Sequence, residues 1–390
     1  MILKSLVLAS LLFTTSLTYS STEDIFRVAP YTLKHTNGHL LLNFQTKADL
    51  GLVIEDNGQS KYAFNYKKNE HYKVELSTVP CGSVKEFKIL TAETRSVVYK
   101  NTQPASPCPS SVSGDEFVFG FISDTQQYTE RHADIAKIIA HHNSIEPMQF
   151  LINGGDVVQN GDKQEQEWID YFVGGKSYLM DIPQIAAIGN HDYRGAGSAI
   201  IPKYFKQFMR WEGADKFGNL FFDMSEFQLL ILNSNFSKLS DMQEFAVWNW
   251  VEHKMIDAKK INKPLIVATH FPLFSSSLNR FSTMSVIKLR MILGPLAEKY
   301  KIPLVLSGHT HMYERSFKDG VHYVVAGPAG GRANSPSYTN PYMKFFDKDS
   351  LTFTKIKLAN KVFTLETYNQ ENRMIDSVVI DLNTKNLAGL

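Results

Sequence analysis

Gly308-His309-Thr310-His311 lies just after an apolar run, Pro303–Leu306, with Ser307 between them. Four earlier junctions have the same form, with polar residues at the end of an apolar, β-branched run: Asp124-Thr125-Gln126 after Phe117–Ile122, Gly155-Asp156 after Met148–Asn153, Gly189-Asn190-His191-Asp192 after Ile185–Ile188, and Thr269-His270 after Pro264–Ala268. Such runs bounded by glycine are typical of buried strands. Ligands of open α/β sheets bind at the carboxyl ends of the strands. The sequence therefore predicts an oxygen- and nitrogen-rich metal site at one sheet edge.

The bulk composition indicates a globular protein with more than one domain. The chain has 390 residues, of which 43% are hydrophobic, so it has enough apolar material for a sizeable core. Its 41 basic and 39 acidic residues leave a formal net charge of only +2. A balance of this kind argues against a nucleic-acid-binding or anionic-membrane surface.

The N-terminus has the features of a targeting segment. Lys4 precedes an uncharged stretch whose apolar part is Leu6–Phe13, and small residues Thr18 and Ser20 fit a signal-peptidase site after Ser20. We therefore predict that residues 1–20 are a signal peptide and that the chain is exported, secreted or periplasmic. The alternative is an uncleaved anchor, but the apolar part is short for a membrane span. We expect no stable membrane span after cleavage.

The chain has two cysteines, Cys81 and Cys108. In an exported protein an even pair of cysteines is typical of a disulfide, which is our prediction. Two buried free thiols are the alternative. Neither cysteine lies near the metal-site segments, so neither is expected to be a ligand.

The pattern along the chain predicts two domains. Short strand-like runs separated by turns such as Asn37-Gly38 predict a β-sandwich over residues 21–100, and a linker rich in Pro and Ser covers residues 101–114. Over residues 115–390 strands alternate with helices and then become dominant, which predicts two packed sheets with helices outside. The predicted helices are Glu130–Asn143, Lys163–Gly174, Asp241–Ala258, with Asp241 as its N-cap, and Met284–Lys299.

The order of the polar segments resembles the calcineurin-like metallophosphoesterase superfamily. Within it, His270-Phe-Pro-Leu-Phe-Ser-Ser and Gly308-His-Thr-His-Met-Tyr-Glu-Arg-Ser316 are similar to segments of the purple acid phosphatase branch. The resemblance covers roughly Phe26 to Asp381. It implies an N-terminal fibronectin-like β-sandwich followed by a four-layer α/β metallophosphoesterase domain, in which two packed β-sheets are flanked by helices.

The resemblance also implies a dinuclear metal centre. Two ions held about 3.5–4 Å apart activate a bridging hydroxide and stabilise the charge of a transferring phosphoryl group. By this resemblance the first metal is bound by Asp124 and His311, the second by Asn190, His270 and His309, and Asp156 bridges the two. His191 is implied to stabilise the transition state or protonate the leaving group, and Asp192 to orient His191 or its loop.

Two positions depart from the family pattern. Gln126 stands where the superfamily often has a histidine, and Gln159 stands where purple acid phosphatases have an iron-binding tyrosine. Gln126 is either a metal ligand through its amide oxygen or a hydrogen-bonding neighbour of the ligands. Without the tyrosinate we expect a colourless protein that uses two divalent ions, with Mn, Zn and Fe as candidates. We also expect the first metal to be the labile one.

The resemblance implies a hydrolase that acts on phosphomonoesters, either small molecules or phosphoproteins, by attack of a metal-bridging hydroxide. A phosphodiesterase with the same metal core is the alternative. A non-catalytic adhesion or carbohydrate-binding module stabilised by metals is a third interpretation. Candidate substrate-binding residues are Tyr128, Tyr193, Arg194 and Arg315, although packing or surface positions explain each of them equally simply, and Arg315 could pair with Glu314. The sequence does not predict an oligomeric state.

Overall fold

The computed structural model describes residues 22–37, 39–78, 80, 82–104, 116–209, 213–277 and 283–383. The predicted signal peptide and the predicted Cys81–Cys108 disulfide lie outside the described residues, so both stay predictions. The structure does not test the predicted domain boundaries either. In the part of the chain that is described, no helix is both long and apolar enough to cross a membrane.

The N-terminal region is an antiparallel β-sandwich, as predicted. A short helix, α1 (Thr22–Ile25), precedes seven strands: β1 (Phe26–Lys34), β2 (Leu40–Thr46), β3 (Leu50–Asp56), β4 (Gln59–Tyr66), β5 (His71–Leu76), β6 (Lys85–Thr91) and β7 (Val97–Gln103). Strands β4-β3-β6-β7 form one sheet, and β1, β2 and β5 face it. The buried side chains between them include Phe44, Tyr66 and Phe87. Burial of these large aromatic groups is the main stabilising contribution to this region.

Strand β1 was not predicted from the sequence, and Pro30 explains why. A proline interrupts the alternation of a strand, because it cannot donate to the ladder and is normally confined to edges and bulges. Here the register of β1 against β2 shifts between Val28 and Tyr31, around Pro30. The strand therefore tolerates the proline at an irregularity. Beyond it, Leu33 pairs in parallel with Gln184, so one continuous sheet extends from the sandwich into the second region.

The second region contains two further strand systems. The first comprises β8 (Phe117–Ile122), β9 (Phe150–Asn153), β10 (Gln184–Ala186), β18 (Thr352–Ala359), β19 (Val362–Asn369) and β20 (Met374–Asp381). These six strands and three from the sandwich form a nine-stranded sheet in the order β20-β19-β18-β8-β9-β10-β1-β2-β5. Strands β8, β9 and β10 are parallel, so their carboxyl ends meet at one edge.

The other sheet of this region has seven strands: β11 (Leu220–Asp223), β12 (Gln228–Leu232), β13 (Leu265–Thr269), β14 (Leu304–Ser307), β15 (Tyr313–Lys318), β16 (Val321–Val325) and β17 (Met343–Asp347). Strands β12, β13, β14 and β16 run parallel. The two sheets share one buried core, in which Phe119 of the first sheet stacks on Phe227 at the start of β12, with ring centroids 5.4 Å apart. This confirms the predicted pair of packed sheets.

Helices cover the outer faces. The longer ones are α2 (Thr129–Ile145), α3 (Glu165–Gly174) and α6 (Asp241–Lys260), and the shorter ones are α4 (Lys176–Leu179), α5 (Lys203–Phe208), α7 (Met284–Lys288) and α8 (Gly294–Tyr300). A single 3₁₀ turn spans Phe236–Lys238, and a π-helical turn, Leu289–Leu293, separates α7 from α8. The predicted helix Met284–Lys299 is therefore interrupted. Helices α2 and α3 pack with the first sheet, and α6 and α8 with the second.

The predicted N-cap of α6 is wrong by one residue. Ser240 is the cap: its hydroxyl accepts from Gln243 N, and the Gln243 side chain accepts from Ser240 N at 2.9 Å. This reciprocal pair is a capping box, in which glutamine serves as well as glutamate. The sequence Ser240-Asp241-Met242-Gln243-Glu244 offers two boxes one residue apart, and the structure uses the first.

Candidate metal centre

Five polar segments converge where the parallel strands end. Asp124 follows β8, Asp156 follows β9, Asn190 follows β10, His270 follows β13, and His309 and His311 follow β14. Parallel strands bring their carboxyl ends to one edge, which is why residues far apart in sequence meet there. The structure therefore brings together the side chains that the sequence predicted as metal ligands.

Four of these residues have a left-handed backbone, which side chains rarely adopt. The φ angles are 57° at Asp124, 52° at Asp156, 73° at His309 and 52° at His311. Each such conformation costs of the order of 1–3 kcal/mol, and strain of this kind clusters at functional sites. The bends at His309 and His311 turn two alternating side chains toward the same centre.

Gly308 allows two loops of the site to pack closely. A Cβ at this position would lie 1.9 Å from Ser123 Oγ and 2.5 Å from Asp124 Oδ2, so only glycine lets the β14 loop pass this close to the β8 loop. His309 N then donates to Asp124 Oδ2 at 2.8 Å. The glycine brings the two ligand-bearing loops into direct contact.

Two groups of potential ligands share Asp156. One consists of Asp156, His270 and His309, the other of Asp124, Asp156 and His311, and within each group the ligand atoms lie within 4.8 Å of one another. Asp156 Oδ1 is 3.4 Å from His270 Nε2, and Asp124 Oδ1 is 3.3 Å from His311 Nε2. We name the Asp124 group the first position and the His270 group the second position. The shared carboxylate lies where a bridging ligand is needed.

Two amide side chains border these groups. Asn190 Oδ1 is 3.1 Å from His270 Nε2 at the second position. Gln126 turns its Nε2 toward the first position, 3.2 Å from Asp156 Oδ2 and 3.0 Å from His311 Nε2. To bind a metal, Gln126 has to present its oxygen instead. Thus Asn190 already faces the second position with an oxygen, and Gln126 faces the first with a nitrogen.

The donor set fits divalent metal ions. Asp124 Oδ1 and Gln126 Oε1 are buried, and within the described residues neither has a hydrogen-bond donor. A buried polar atom without a partner costs about 1–3 kcal/mol, and an ion would satisfy the carboxylate. Imidazole, carboxylate and amide oxygen are ligands that Mn, Zn and Fe(II) accept.

Backbone carbonyls orient two of the imidazoles. His270 Nδ1 lies 3.0 Å from Gly154 O, and His311 Nδ1 lies 2.7 Å from Arg332 O. A carbonyl only accepts, so each Nδ1 carries a proton and each Nε2 is the nitrogen that faces the carboxylates. This is the usual arrangement around metal-binding histidines. Sequence reasoning missed these partners because a backbone carbonyl has no residue signature.

The charges of the buried groups depend on one another. Burial pushes the pKa of Asp156 upward, but the neighbouring His270 outweighs this and holds the pKa well below its usual range. Burial lowers the pKa of His270, and the Asp156 carboxylate more than offsets it, raising that pKa to about 9. Without a metal the pair is therefore an ion pair. A metal bound at this position would take the place of the proton on His270 Nε2.

His191 and Arg194 lie beside the shared carboxylate. His191 Nε2 is 3.9 Å from Asp156 Oδ2, and its Nδ1 donates to Gln159 O at 3.0 Å. Arg194 Nη1 donates to the same carbonyl at 3.2 Å, and its Nη2 lies 3.1 Å from His191 Nε2. Gln159 O thus holds both side chains.

Asp192 acts on the backbone. Its carboxylate accepts N–H bonds from Gly189 at 2.8 Å, from Asp156 at 3.1 Å, and from Val157 and Val158 at 3.0 and 3.3 Å. Burial, the largest influence, raises its pKa to about 8. Of the two predicted roles, orienting the loop fits these bonds, because Asp192 clamps the β9 and β10 loops together.

The remaining predicted substrate residues lie apart from the two positions. Tyr193 is buried, and its hydroxyl donates to Ile200 O and accepts from Asn233 Nδ2. Arg315 makes two bonds to Asp376, at 2.6 and 2.9 Å. The predicted Arg315–Glu314 pair is therefore wrong: Glu314 accepts instead from Ser276 N and Asn340 Nδ2. Tyr128 is 39% exposed and lines a cavity between the loop that follows β8 and helix α3.

Comparisons with known proteins agree with this arrangement. Purple acid phosphatase 19 of Arabidopsis thaliana is 26% identical over 241 residues, covering 54% of this chain and 59% of the relative. Phosphoenolpyruvate phosphatase of Allium cepa is 25% identical over 148 residues, covering 32% of this chain and 30% of the relative. The chain thus spans less than two thirds of either relative.

Solved structures show the same fold. A structure of PhoD matches with a TM-score of 0.67 at 11% identity, covering 93% of this chain and 94% of that one. GAP50, described as the anchor in the inner membrane complex of Plasmodium, matches with a TM-score of 0.55 at 18% identity, covering 70% and 90%. The family model for calcineurin-like phosphoesterases matches residues 117–313, which include all seven predicted metal-binding residues. This chain therefore belongs to the calcineurin-like metallophosphoesterase family, with weak homology to the purple acid phosphatases.

Proposed function

We propose that this protein is a phosphomonoesterase that uses two divalent metal ions. The observation that carries the proposal is the pair of ligand groups sharing Asp156 at the carboxyl edge of the parallel strands. When bound, two such ions supply an activated nucleophile and stabilise charge on the transferring phosphoryl group. In the overall reaction water adds its oxygen to phosphorus, the ester P–O bond breaks, and the alcohol leaves with a proton.

The ligand assignment follows from the two positions. Asp124, Asp156 and His311 would hold the first ion, and Asp156, His270, His309 and Asn190 the second. Gln126 would support the first position by hydrogen bonding unless its amide turns. Asp192 would act as a positioning residue, because its bonds to the backbone keep the Asp156 loop in place.

His191 and Arg194 would act on the substrate. His191 Nε2 lies near Asp156 without belonging to either ligand group, so this ring would be free of metal. To stabilise or protonate the leaving oxygen, Nε2 would take up a proton and give up its contact with Arg194 Nη2. Arg194 is half-buried, and two of its donors are directed by His191 and Gln159 O. An oriented guanidinium suits the oxygens of a phosphoryl group. Both residues would therefore contact the substrate.

The choice of metal follows from the absence of a tyrosinate. Gln159 stands at the family's tyrosine position, the Tyr193 hydroxyl is bonded to Ile200 and Asn233, and Tyr128 lies in the neighbouring cavity. Neutral imidazoles and amides suit divalent better than trivalent ions. We expect a colourless enzyme loaded with Mn, Zn or Fe(II).

Export and a Cys81–Cys108 disulfide belong to the same proposal. They are supported by Lys4, the apolar segment Leu6–Phe13 and the even number of cysteines. N-terminal sequencing of the mature protein should begin at Ser21, and thiol titration of the denatured, unreduced protein should find no free thiols. An intact N-terminus or two titratable thiols would contradict these two points.

One assay tests the activity. The protein is stripped with chelator, reloaded with Mn²⁺ or Zn²⁺, and given p-nitrophenyl phosphate and bis(p-nitrophenyl) phosphate in parallel. We expect metal-dependent turnover of the monoester. Faster turnover of the diester would make the protein a phosphodiesterase, and turnover of neither by protein that holds two metals would favour the non-catalytic module.

A further inference from the structure

A cavity of about 280 Å³ adjoins the first position. It lies between the loop that follows β8 and helix α3. The residues that carry the argument are Gln126, Gln127, Gln159, Glu167, Asp170 and Tyr171. Pockets that hold small ligands range from about 300 to 1,000 Å³, so this cavity suits only a small group.

The cavity is next to the groups assigned to the reaction. Gln126 lines it and also contacts Asp156 and His311. On the other side Gln159 lines it, and the carbonyl of this residue holds His191 and Arg194. The cavity therefore borders the first position through Gln126 and the His191–Arg194 pair through Gln159.

The loop that borders the cavity has a strained backbone conformation. Gln127 has a φ of 84°, and Asp124, three residues earlier, is also left-handed. Gln127 Oε1 accepts from Arg332 N at 2.7 Å, which ties this loop to the carbonyl partner of His311. Such strain persists only where surrounding contacts fix it, and it is typical of ligand-binding segments.

The charge of the lining is negative. Glu167 and Asp170 contribute carboxylates, and no lysine or arginine belongs to the lining. His132 also lines the cavity, but burial lowers its pKa to about 3, so it is neutral near pH 7. Arg131 lies over the Tyr128 ring, 5.6 Å from its centroid, and is not one of the lining residues. A carboxylate or a second phosphate would be repelled here.

We propose that this cavity receives the alcohol part of the substrate and selects phosphomonoesters of small uncharged or cationic alcohols, amino alcohols above all. The proposal rests on the phosphomonoesterase function. Glu167 is already engaged, because its two oxygens accept from the N and Nδ2 of Asn160. Among the described residues Asp170 accepts one side-chain bond, from Gln166 at 2.9 Å, so it is the carboxylate freer to meet a cation.

The test compares three substrates of similar size in the metal-loaded full-length mature protein. They are O-phosphoethanolamine, glycerol 3-phosphate and 3-phosphoglycerate, whose alcohols are cationic, neutral and anionic. We expect kcat/KM to fall in that order, with the cationic substrate favoured over the anionic one on the order of tenfold. In Asp170→Asn this ratio should shrink about three- to tenfold, and in Asp170→Lys it should reverse. Asp134→Asn removes an exposed carboxylate of α2 outside the cavity and should leave the ratio unchanged.

The outcomes distinguish failure of the cavity proposal from failure of the phosphomonoesterase function. If the wild-type protein hydrolyses p-nitrophenyl phosphate but treats the three substrates alike, or prefers the anionic one, the cavity proposal fails and the function stands. If Asp170→Asn and Asp134→Asn change the ratio equally, the preference does not come from this cavity. If no monoester is hydrolysed, the phosphomonoesterase function itself is wrong.

Discussion

The two metal positions are built from similar residues but differ in how well their side chains are oriented to bind a metal. The second position has two histidines and Asn190, whose oxygen already lies 3.1 Å from His270 Nε2. The first position has an additional carboxylate, Asp124, but its amide neighbour Gln126 turns a nitrogen inward. To bind a metal, the second position would only have to lose the proton on His270. The first position would either need the Gln126 amide to turn or bind its metal with one ligand fewer. We therefore expect the two positions, which share Asp156, to differ in their affinity for metal.

Removing the shared carboxylate should erase the difference between the two positions. Asp156→Asn replaces an anion that belongs to both groups by a neutral amide, so we expect loss of most bound metal and nearly all activity. Metal analysis and turnover of p-nitrophenyl phosphate measure both effects, with Asp134→Asn as the control at an exposed site. A variant with two equivalents of metal and normal turnover would show that Asp156 is not the bridge.

A substitution at His191 should lower turnover without lowering the metal content. His191→Ala removes a ring that belongs to neither ligand group, so both metals should remain while kcat falls about 10²- to 10⁴-fold, the range for a general acid. Metal content and kcat are measured on the same preparation. Metal loss would place His191 among the ligands, and an unchanged kcat would remove it from the reaction.

A chelator titration tests the inequality itself. We expect metal to leave in two steps, with the first position emptying at lower chelator concentration. Gln126→Ala should weaken that step about ten- to a hundredfold, as loss of a supporting group around a metal usually does, and should leave the second step in place. A Gln126→Glu variant sharpens the result, since a tighter first step would show that this side chain reaches the metal. A single step, or an effect of Gln126→Ala on both, would contradict the inequality.

A substitution far from both metal positions should change the stability of the protein without changing metal binding or turnover. Ser240→Ala removes the hydroxyl that caps α6, so the free energy of unfolding should fall by about 1 kcal/mol, without change in metal content or kcat. Chemical denaturation with metal analysis measures this. The Asp241→Ala variant is the matched comparison, because the sequence alone made it the cap; an equal or larger loss there would restore the original prediction.

The sequence predicted the ligand set because strand ends are visible in it. Asp156 and His270 each follow an apolar run, and parallel strands bring such ends together. The orientation of Gln126 could not be predicted, since it depends on contacts with Asp156 and His311 from other strands. Arg315 was paired with its sequence neighbour, whereas its partner Asp376 belongs to β20. Local patterns thus identify elements and their ends, and contacts between distant segments decide what each polar side chain meets.

The most direct measurement is an anomalous difference map from crystals grown with Mn²⁺. We expect two peaks about 3.5–4 Å apart on either side of the Asp156 carboxylate. One should lie among Asp124 and His311, and the other among His270, His309 and Asn190. A single peak, or peaks away from these side chains, would contradict the dinuclear centre.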